Sequence, residues 1–340
     1  LSGSERWSWG ALWVVLSLLA GCGADRQESV SGPTMGSTYS VQYLRSAKGP
    51  VAAQVKAEVE GVLAEVDRQM STYRSDSDIE RFNELPANSC QSMPESVLQL
   101  VRVAEQFSRD SNGAFDLTVE PLLNLWGFGP QGRVEAVPSA SALAQARKRV
   151  GYEHLRIQGT QLCKNAAVEV DFNSMAAGYA VDAIAARLGR LGIESFLVEV
   201  TGELKAVGRK ADGSPWRIAL EAPRDDQQLM QRLIALDGYG VSTSGDYRNY
   251  FEQDGQRYSH TFDARAGKPV AHGLASVTVV HSLAQMADGL STLLLILGPE
   301  RGREYAEKHG IAAFFVIRAD TGLVTFSSSE FDRLFDGQKQ

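Results

Sequence analysis

Residues 247–262, YRNYFEQDGQRYSHTF, set two strand-like runs around Glu252-Gln-Asp-Gly255. An Asp-Gly pair supplies the backbone conformations that a tight antiparallel turn requires, so the runs at 247–251 and 256–262 are expected to form a hairpin. Further strand-like runs fall at 39–44, 168–172, 196–200, 216–220, 275–280 and 312–317, interleaved with segments of helical period. Hairpins mixed with helices predict an α+β fold, with mixed, largely antiparallel sheets flanked by helices, rather than a doubly wound parallel sheet. No G-x-G-x-x-G run argues otherwise.

The hairpin leaves His260 undecided. On a continued strand its side chain shares a face with Tyr258 and Phe262, and Asp263 points the other way. Spacing alone is compatible with a working base or with an ordinary strand residue. His154, His272, His281 and His309 are read as solvated or structural.

Helices are marked by caps and period. Apolar residues at 51, 55, 59, 62, 63 and 66 define a helix over 51–70, and Ser77-Asp-Ile-Glu80 is a capping box opening a short one. A helix over 94–108 begins on Pro94, one over 176–191 stops at Gly192, and one over 286–297 ends at Gly298.

The first residues read as an address. The apolar run 9–20 is too short for a bundle-type span and ends in Leu19-Ala20-Gly21-Cys22, a small-residue cleavage site before a cysteine able to take lipid. Residues 1–21 are therefore expected to be a lipoprotein signal peptide, 22–31 a tether lipidated at Cys22, and 32–335 one domain. Glu5 and Arg6 cancel, so removing the leader leaves the formal charge at −7. An acidic chain argues against nucleic acid as a partner. Cys90 and Cys163 remain; an exported compartment permits a disulfide, and the sequence leaves open whether they meet. No metal-type Cys or His spacing occurs.

Four stretches carry candidate chemistry. In QMADGLST, residues 285–292, a helix brings Asp288, Ser291 and Thr292 to one face, an oxygen set suited to Mg²⁺ or, more plainly, an acid on the helix dipole followed by back-bonded hydroxyls. In VDFNSMAAGYAVD, residues 170–182, small residues between strand and helix suit a phosphate or a simple N-cap. VSTSGD, residues 241–246, cradles a pyrophosphate or merely turns. The aromatics of residues 113–128, Trp126 included, read first as core.

Taken in order, PTMGSTY at 33–39, MSTYR at 70–74, GAFDLTVEPLLNLWGFGP at 113–130, VDFNSMAAGYAVD, STSGDYRNYF at 242–251, YSHTFDARAGKPV at 258–270 and ADGLST at 287–292 resemble the ApbE family of FAD:protein FMN transferases, exported and often lipid-anchored. The resemblance implies transfer of FMN from FAD to a threonine, sometimes serine, hydroxyl of a target protein, with AMP released. It implies Mg²⁺ at Ser174, Asp288 and Thr292 with Ser291 close by, and flavin-nucleotide contacts from Met35, Tyr73, Ala114, Phe115, Asp116, Asp171, Ala177 and Phe262. His260 becomes the candidate base, its ring titrating near ~6.5 when unperturbed, with Asp263 orienting it or supporting the metal region.

The implied partners are flavin-accepting subunits of membrane or periplasmic redox complexes, and the implied location is the periplasmic face of a bacterial membrane, the inner one first and the outer left open. The chain departs from the family pattern at Ala177, where lysine is common, at Thr201-Gly202-Glu203 in place of Gly-Gly-Asp, and at Ala264 and Ala266. These departures keep a non-catalytic flavin-binding lipoprotein in view; a further alternative is an FAD pyrophosphatase that uses the same metal and water as acceptor to give FMN and AMP.

Overall fold

The computed structural model describes residues 25–131, 136–221, 230–247, 249–320 and 322–338. The leader and Cys22 lie outside the described residues. Among those described, no helix is long and apolar enough to cross a membrane.

The frame is an eight-stranded sheet whose neighbours follow chain order: β1 Arg26–Thr34, β2 Ser37–Arg45, β3 Phe196–Val200, β4 Glu203–Val207, β5 Tyr239–Gly245, β6 Leu274–His281, β7 Ala312–Ala319 and β8 Gly322–Ser327. Every neighbouring pair is antiparallel. Helices and small two- and three-stranded sheets are inserted between these strands. The α+β expectation therefore holds.

Alternation along the strands assigns side chains to two cores. Val277 and Val279 of β6, with Ala313 and Phe315 of β7, pack into the main cluster beneath the helices. Val280, Ala312, Phe314 and Val316 point to the other face, against Trp216, Ile234 and Phe331. The helices on the first face are α1 Ala52–Met70, α2 Asp78–Asn83, α3 Glu95–Asp110, α4 Ala176–Arg190 and α5 Ala284–His309. Ser77 caps α2 by accepting from Glu80 N at 3.0 Å, as its sequence position requires. The break expected at Gly298 is present, with φ +80° there and Pro299 next, but the helix resumes and runs to His309.

Several expectations are corrected. Residues 26–31, read as tether, are paired in β1; RQESVSGPT is polar because this is an edge strand, with only Val30 buried. Residues 168–172 form no strand. Asn83 takes the place of a ladder partner, its side chain accepting from Val170 N (2.8 Å) and donating to Val170 O (3.0 Å), and buried Lys164 donates to Val168 O. Residues 241–245 are not a turn but part of β5, paired with β6 throughout and with β4 at Val241. The hairpin forms at Tyr250–Gln253 and Gln256–Ser259, later and shorter than expected, so His260 lies beyond its end.

Cys90 and Cys163 face one another across paired strands Ser89–Ser92 and Gln161–Lys164 and are joined by a disulfide. The bond closes a separation of 73 residues, which removes conformational freedom from the unfolded chain. Replacing both cysteines by alanine is expected to lower unfolding free energy by about 2–4 kcal/mol, read as a reduced urea midpoint. An unchanged midpoint contradicts a stabilising bond.

Candidate active site

A cavity of about 730 Å³ opens where the β1–β2 turn, the C-terminal end of α1, the start of α4 and the third turn of α5 meet. Phe262 and Phe128 of its wall belong to a separate, mainly aromatic cluster in which Leu122, Trp126 and Phe251 lie behind them and Tyr258 packs alongside. The volume lies in the upper part of the range for organic ligands.

Ten of the expected site residues line this cavity: Met35, Tyr73, Phe115, Asp116, Asp171, Ser174, Ala177, His260, Phe262 and Thr292. Met35 holds the left-handed φ of +45° beside Gly36 at the β1–β2 turn, which projects its side chain outward, 37% exposed. Tyr73 is 67% exposed at the rim. Aromatic and thioether groups left open to water beside a cavity are available to cover a planar ring.

The acids of the wall are braced. Asp116 Oδ1 accepts from Thr118 N and Oγ1, and Oδ2 accepts from Tyr152 N; burial nonetheless holds its carboxyl above the usual range. Asp171 accepts from Asn173 N (2.6 Å) and Nδ2 (2.8 Å), and burial pushes its pKa to about 6. Behind it, Glu120 accepts from Asn83 Nδ2 at 3.1 Å; burial, then the charges of Asp171 and Glu80, push it to about 8. Asn83 thus ties Glu120 to the Val170 backbone next to Asp171.

The third group is centred on α5. Asp288 is buried, and its Oδ2 accepts from Gly178 N at 2.9 Å in the first turn of α4. That amide and the helix dipole favour a carboxylate, but burial and then the negative charge of Glu203 outweigh them and raise its pKa well above normal. Ser291 is wholly buried; it donates to Asp288 O and its hydroxyl lies 2.8 Å from Ser244 Oγ and 3.1 Å from Ser242 Oγ. Thr292, 3.1 Å from Ser244, does reach the cavity. Glu203 accepts from Thr201 Oγ1 at 2.9 Å. Among the described residues no trio of His, Cys, Asp or Glu converges, so a cation here would rest on Asp288, with hydroxyl oxygens of Thr292 and Ser174 and with Glu203 nearby. The fit is physical: Asp288 is buried and feels the negative charge of Glu203, and a hard divalent cation would stabilise its carboxylate.

His260 sits just past the hairpin. Its backbone N donates to Asn249 O (3.1 Å), and Nδ1 lies 3.2 Å from the same carbonyl. A carbonyl only accepts, so Nδ1 carries the proton and Nε2 keeps its lone pair. The ring reaches solvent through the cavity but is crowded by protein; that desolvation lowers its pKa, against Asn249 and the charge of Asp246, which raise it.

Four expected residues do not line the cavity. Asp288 and Ser291 stand behind its wall, and Ala114 serves through its carbonyl, which accepts from Ala264 N at 3.0 Å. Asp263, expected to orient His260 or to support the metal region, instead pairs with Arg265 and accepts from the Arg265 and Ala266 amides, closing its own turn. Burial raises its pKa, but those partners hold it below normal. Glu203, Glu120 and Asp246 were missed as site residues because the groups they act with come from distant segments, whereas Asn249 faces His260 from across the hairpin itself.

The family model described as the ApbE family matches residues 35–315. The FAD:protein FMN transferase of Vibrio cholerae serotype O1 is 41% identical over 326 residues, 95% of this chain and 98% of its own length. That of Haemophilus influenzae is 38% identical, covering 96% and 97%. Among solved structures, the apo form of Pseudomonas stutzeri flavinyl transferase ApbE superposes with a TM-score of 0.86 at 60% identity, covering 92% of this chain and 97% of that one.

Glu120 gives a pH test of the cavity's acids. Its folded pKa, about 8, lies above its ordinary value of 4.5, so the folded state holds a proton that the unfolded state releases, and stability falls as pH rises through that window. Glu120→Gln removes this contribution. In urea unfolding without ligand, the variant's stability relative to wild type is expected to increase from pH 5 to pH 8; a difference that stays constant contradicts the protonated, buried Glu120.

Proposed function

The chain belongs to the ApbE family and is a FAD:protein FMN transferase; we propose that its acceptor is a threonine, or serine, hydroxyl and that the reaction depends on Mg²⁺. The observation that carries this reading is convergence. One cavity gathers the His260 imidazole, the Thr292 hydroxyl one helical turn from buried Asp288, and an open aromatic rim, drawn from segments far apart in the chain.

The residues divide the work. Phe262, Phe115, Met35 and Tyr73 offer surfaces for the flavin, and Asp116 and Asp171 offer braced acceptors to the nucleotide's polar edge. Mg²⁺, held by Asp288 with Thr292 and Ser174, supplies charge neutralisation at the pyrophosphate when bound. His260 Nε2 takes the proton of the acceptor hydroxyl, whose oxygen forms a bond to the phosphorus next to riboflavin. The bond from that phosphorus to the bridging oxygen breaks, and AMP leaves with the bridging oxygen. Burial lowers the His260 pKa, which keeps the ring neutral and able to accept that proton at neutral pH. Lipid on Cys22, a periplasmic membrane face and redox-complex subunits as acceptors belong to the same proposal and follow from the sequence of the leader and the resemblance.

Purified mature protein incubated with FAD, Mg²⁺ and a candidate flavoprotein subunit is expected to give a fluorescent acceptor band and stoichiometric AMP. AMP without a band indicates hydrolysis, and neither product indicates binding alone. His260→Ala is expected to retain FAD while transfer drops about 10²–10⁴-fold, and Asp288→Ala is expected to abolish Mg²⁺-dependent product. Wild-type turnover in either variant contradicts the corresponding role.

A further inference from the structure

We infer that the Asp246–Arg318 ion pair is a positioning device for His260, fixing the chain that grips the imidazole and presenting a constant negative charge to it. This rests on His260 being the base, and it assigns a task to the aspartate of VSTSGD that the transfer chemistry leaves unused.

Both ends of the pair are anchored in the main sheet. Asp246 follows the last residue of β5, Gly245, which pairs with Ser276 of β6, and its own amide donates to Ala275 O at 3.2 Å. Arg318, on β7, is fixed by its amide donating to Gly273 O (2.8 Å) and reaches Asp246 Oδ2 with Nη1 at 2.7 Å. Three residues beyond Asp246, the carbonyl of Asn249 takes both His260 N and Nδ1. His260 has left its strand ladder at Ser259, so this carbonyl is the contact that sets the ring's orientation and tautomer. Asp246 and Asn249 are three residues apart in the chain, so fixing Asp246 limits where that carbonyl can sit.

The pair is also electrically lopsided. Arg318 engages Oδ2, whereas Oδ1 is buried without a hydrogen-bond partner. An acid compensated on one oxygen only retains a field, and Asp246 is the charged group that raises the His260 pKa against burial. Among the described residues the other charges at the cavity have partners of their own: Asp67 pairs with Arg74, Asp263 with Arg265, Arg257 lies over the Tyr250 ring at 3.8 Å, Asp116 and Asp171 accept from backbone amides, and Asp288 accepts from Gly178 N beside Glu203.

The test reads the ring itself, not turnover. The full chain, free of flavin and metal, is labelled at histidine and titrated by NMR, with the His260 signal identified by its loss in His260→Gln. Asp246→Asn keeps an acceptor for Arg318 but removes the charge, and the His260 midpoint is expected to move to lower pH. Arg318→Gln unmasks the charge, and the midpoint is expected to move to higher pH, with transfer about tenfold slower as the grip on Asn249 loosens. Arg318→Lys keeps the positive charge and is expected to restore a midpoint near wild type. A midpoint unmoved in Asp246→Asn, with folding confirmed by circular dichroism, overturns the inference; shifts of the same sign in Asp246→Asn and Arg318→Gln do so as well. If the ring's midpoints move as expected but the acid limb of the transfer rate does not follow them, the base role of His260 fails and the electrostatic coupling survives.

Discussion

The site depends on how closely the start of α5 approaches its neighbours. A Cβ on Gly178 would lie 2.5 Å from Ala284 O and 2.7 Å from Asp288 Cβ, and one on Gly240 would lie 2.6 Å from Ala284 Cα. No side chain fits at either place, so the first turns of α5 lie directly against helix α4 on one side and strand β5 on the other. That contact lets the Gly178 amide reach Asp288, and it brings Ser242 and Ser244 of β5 within hydroxyl distance of Ser291 and Thr292. The main core, with Ala284, Ala287, Leu290 and Leu293 buried in it, holds the geometry rigid.

A cost follows from this packing. Asp288, which feels the charge of Glu203, and the pair Glu120 and Asp171 are acids whose charged forms the fold disfavours. Unfavourable local choices of this kind gather where a ligand is meant to complete the environment. A cation at the first group, and donors of a nucleotide at the second, would return part of that stability on binding, so ligand and fold are thermodynamically linked.

Much of the frame was legible from period and caps, because those signals are local. Ser77, the glycine break at 298 and the Asp-Gly hairpin each act on their own neighbours. What failed were strands and turns whose pairing is set from afar. β1 looked like a tether because an edge strand needs little apolar surface; residues 168–172 looked like a strand because Asn83, distant in sequence, satisfies them as a strand would. The same divide runs through the site. Asp288 and Thr292 share one helix face and were visible together, whereas the carboxylate acting on His260 was sought at Asp263, three residues away, and lies at Asp246, in the preceding connection.

The α4–α5 crossing presents Asp288 and Thr292 as the proposed cation ligands. The most direct measurement is anomalous scattering from crystals grown with FAD and Mn²⁺ standing in for Mg²⁺. A peak is expected at coordination distance, about 2.0–2.4 Å, from Asp288 and Thr292 oxygens, beside the flavin pyrophosphate. FAD bound in the cavity with no peak there, or with the peak on other residues, would contradict that assignment.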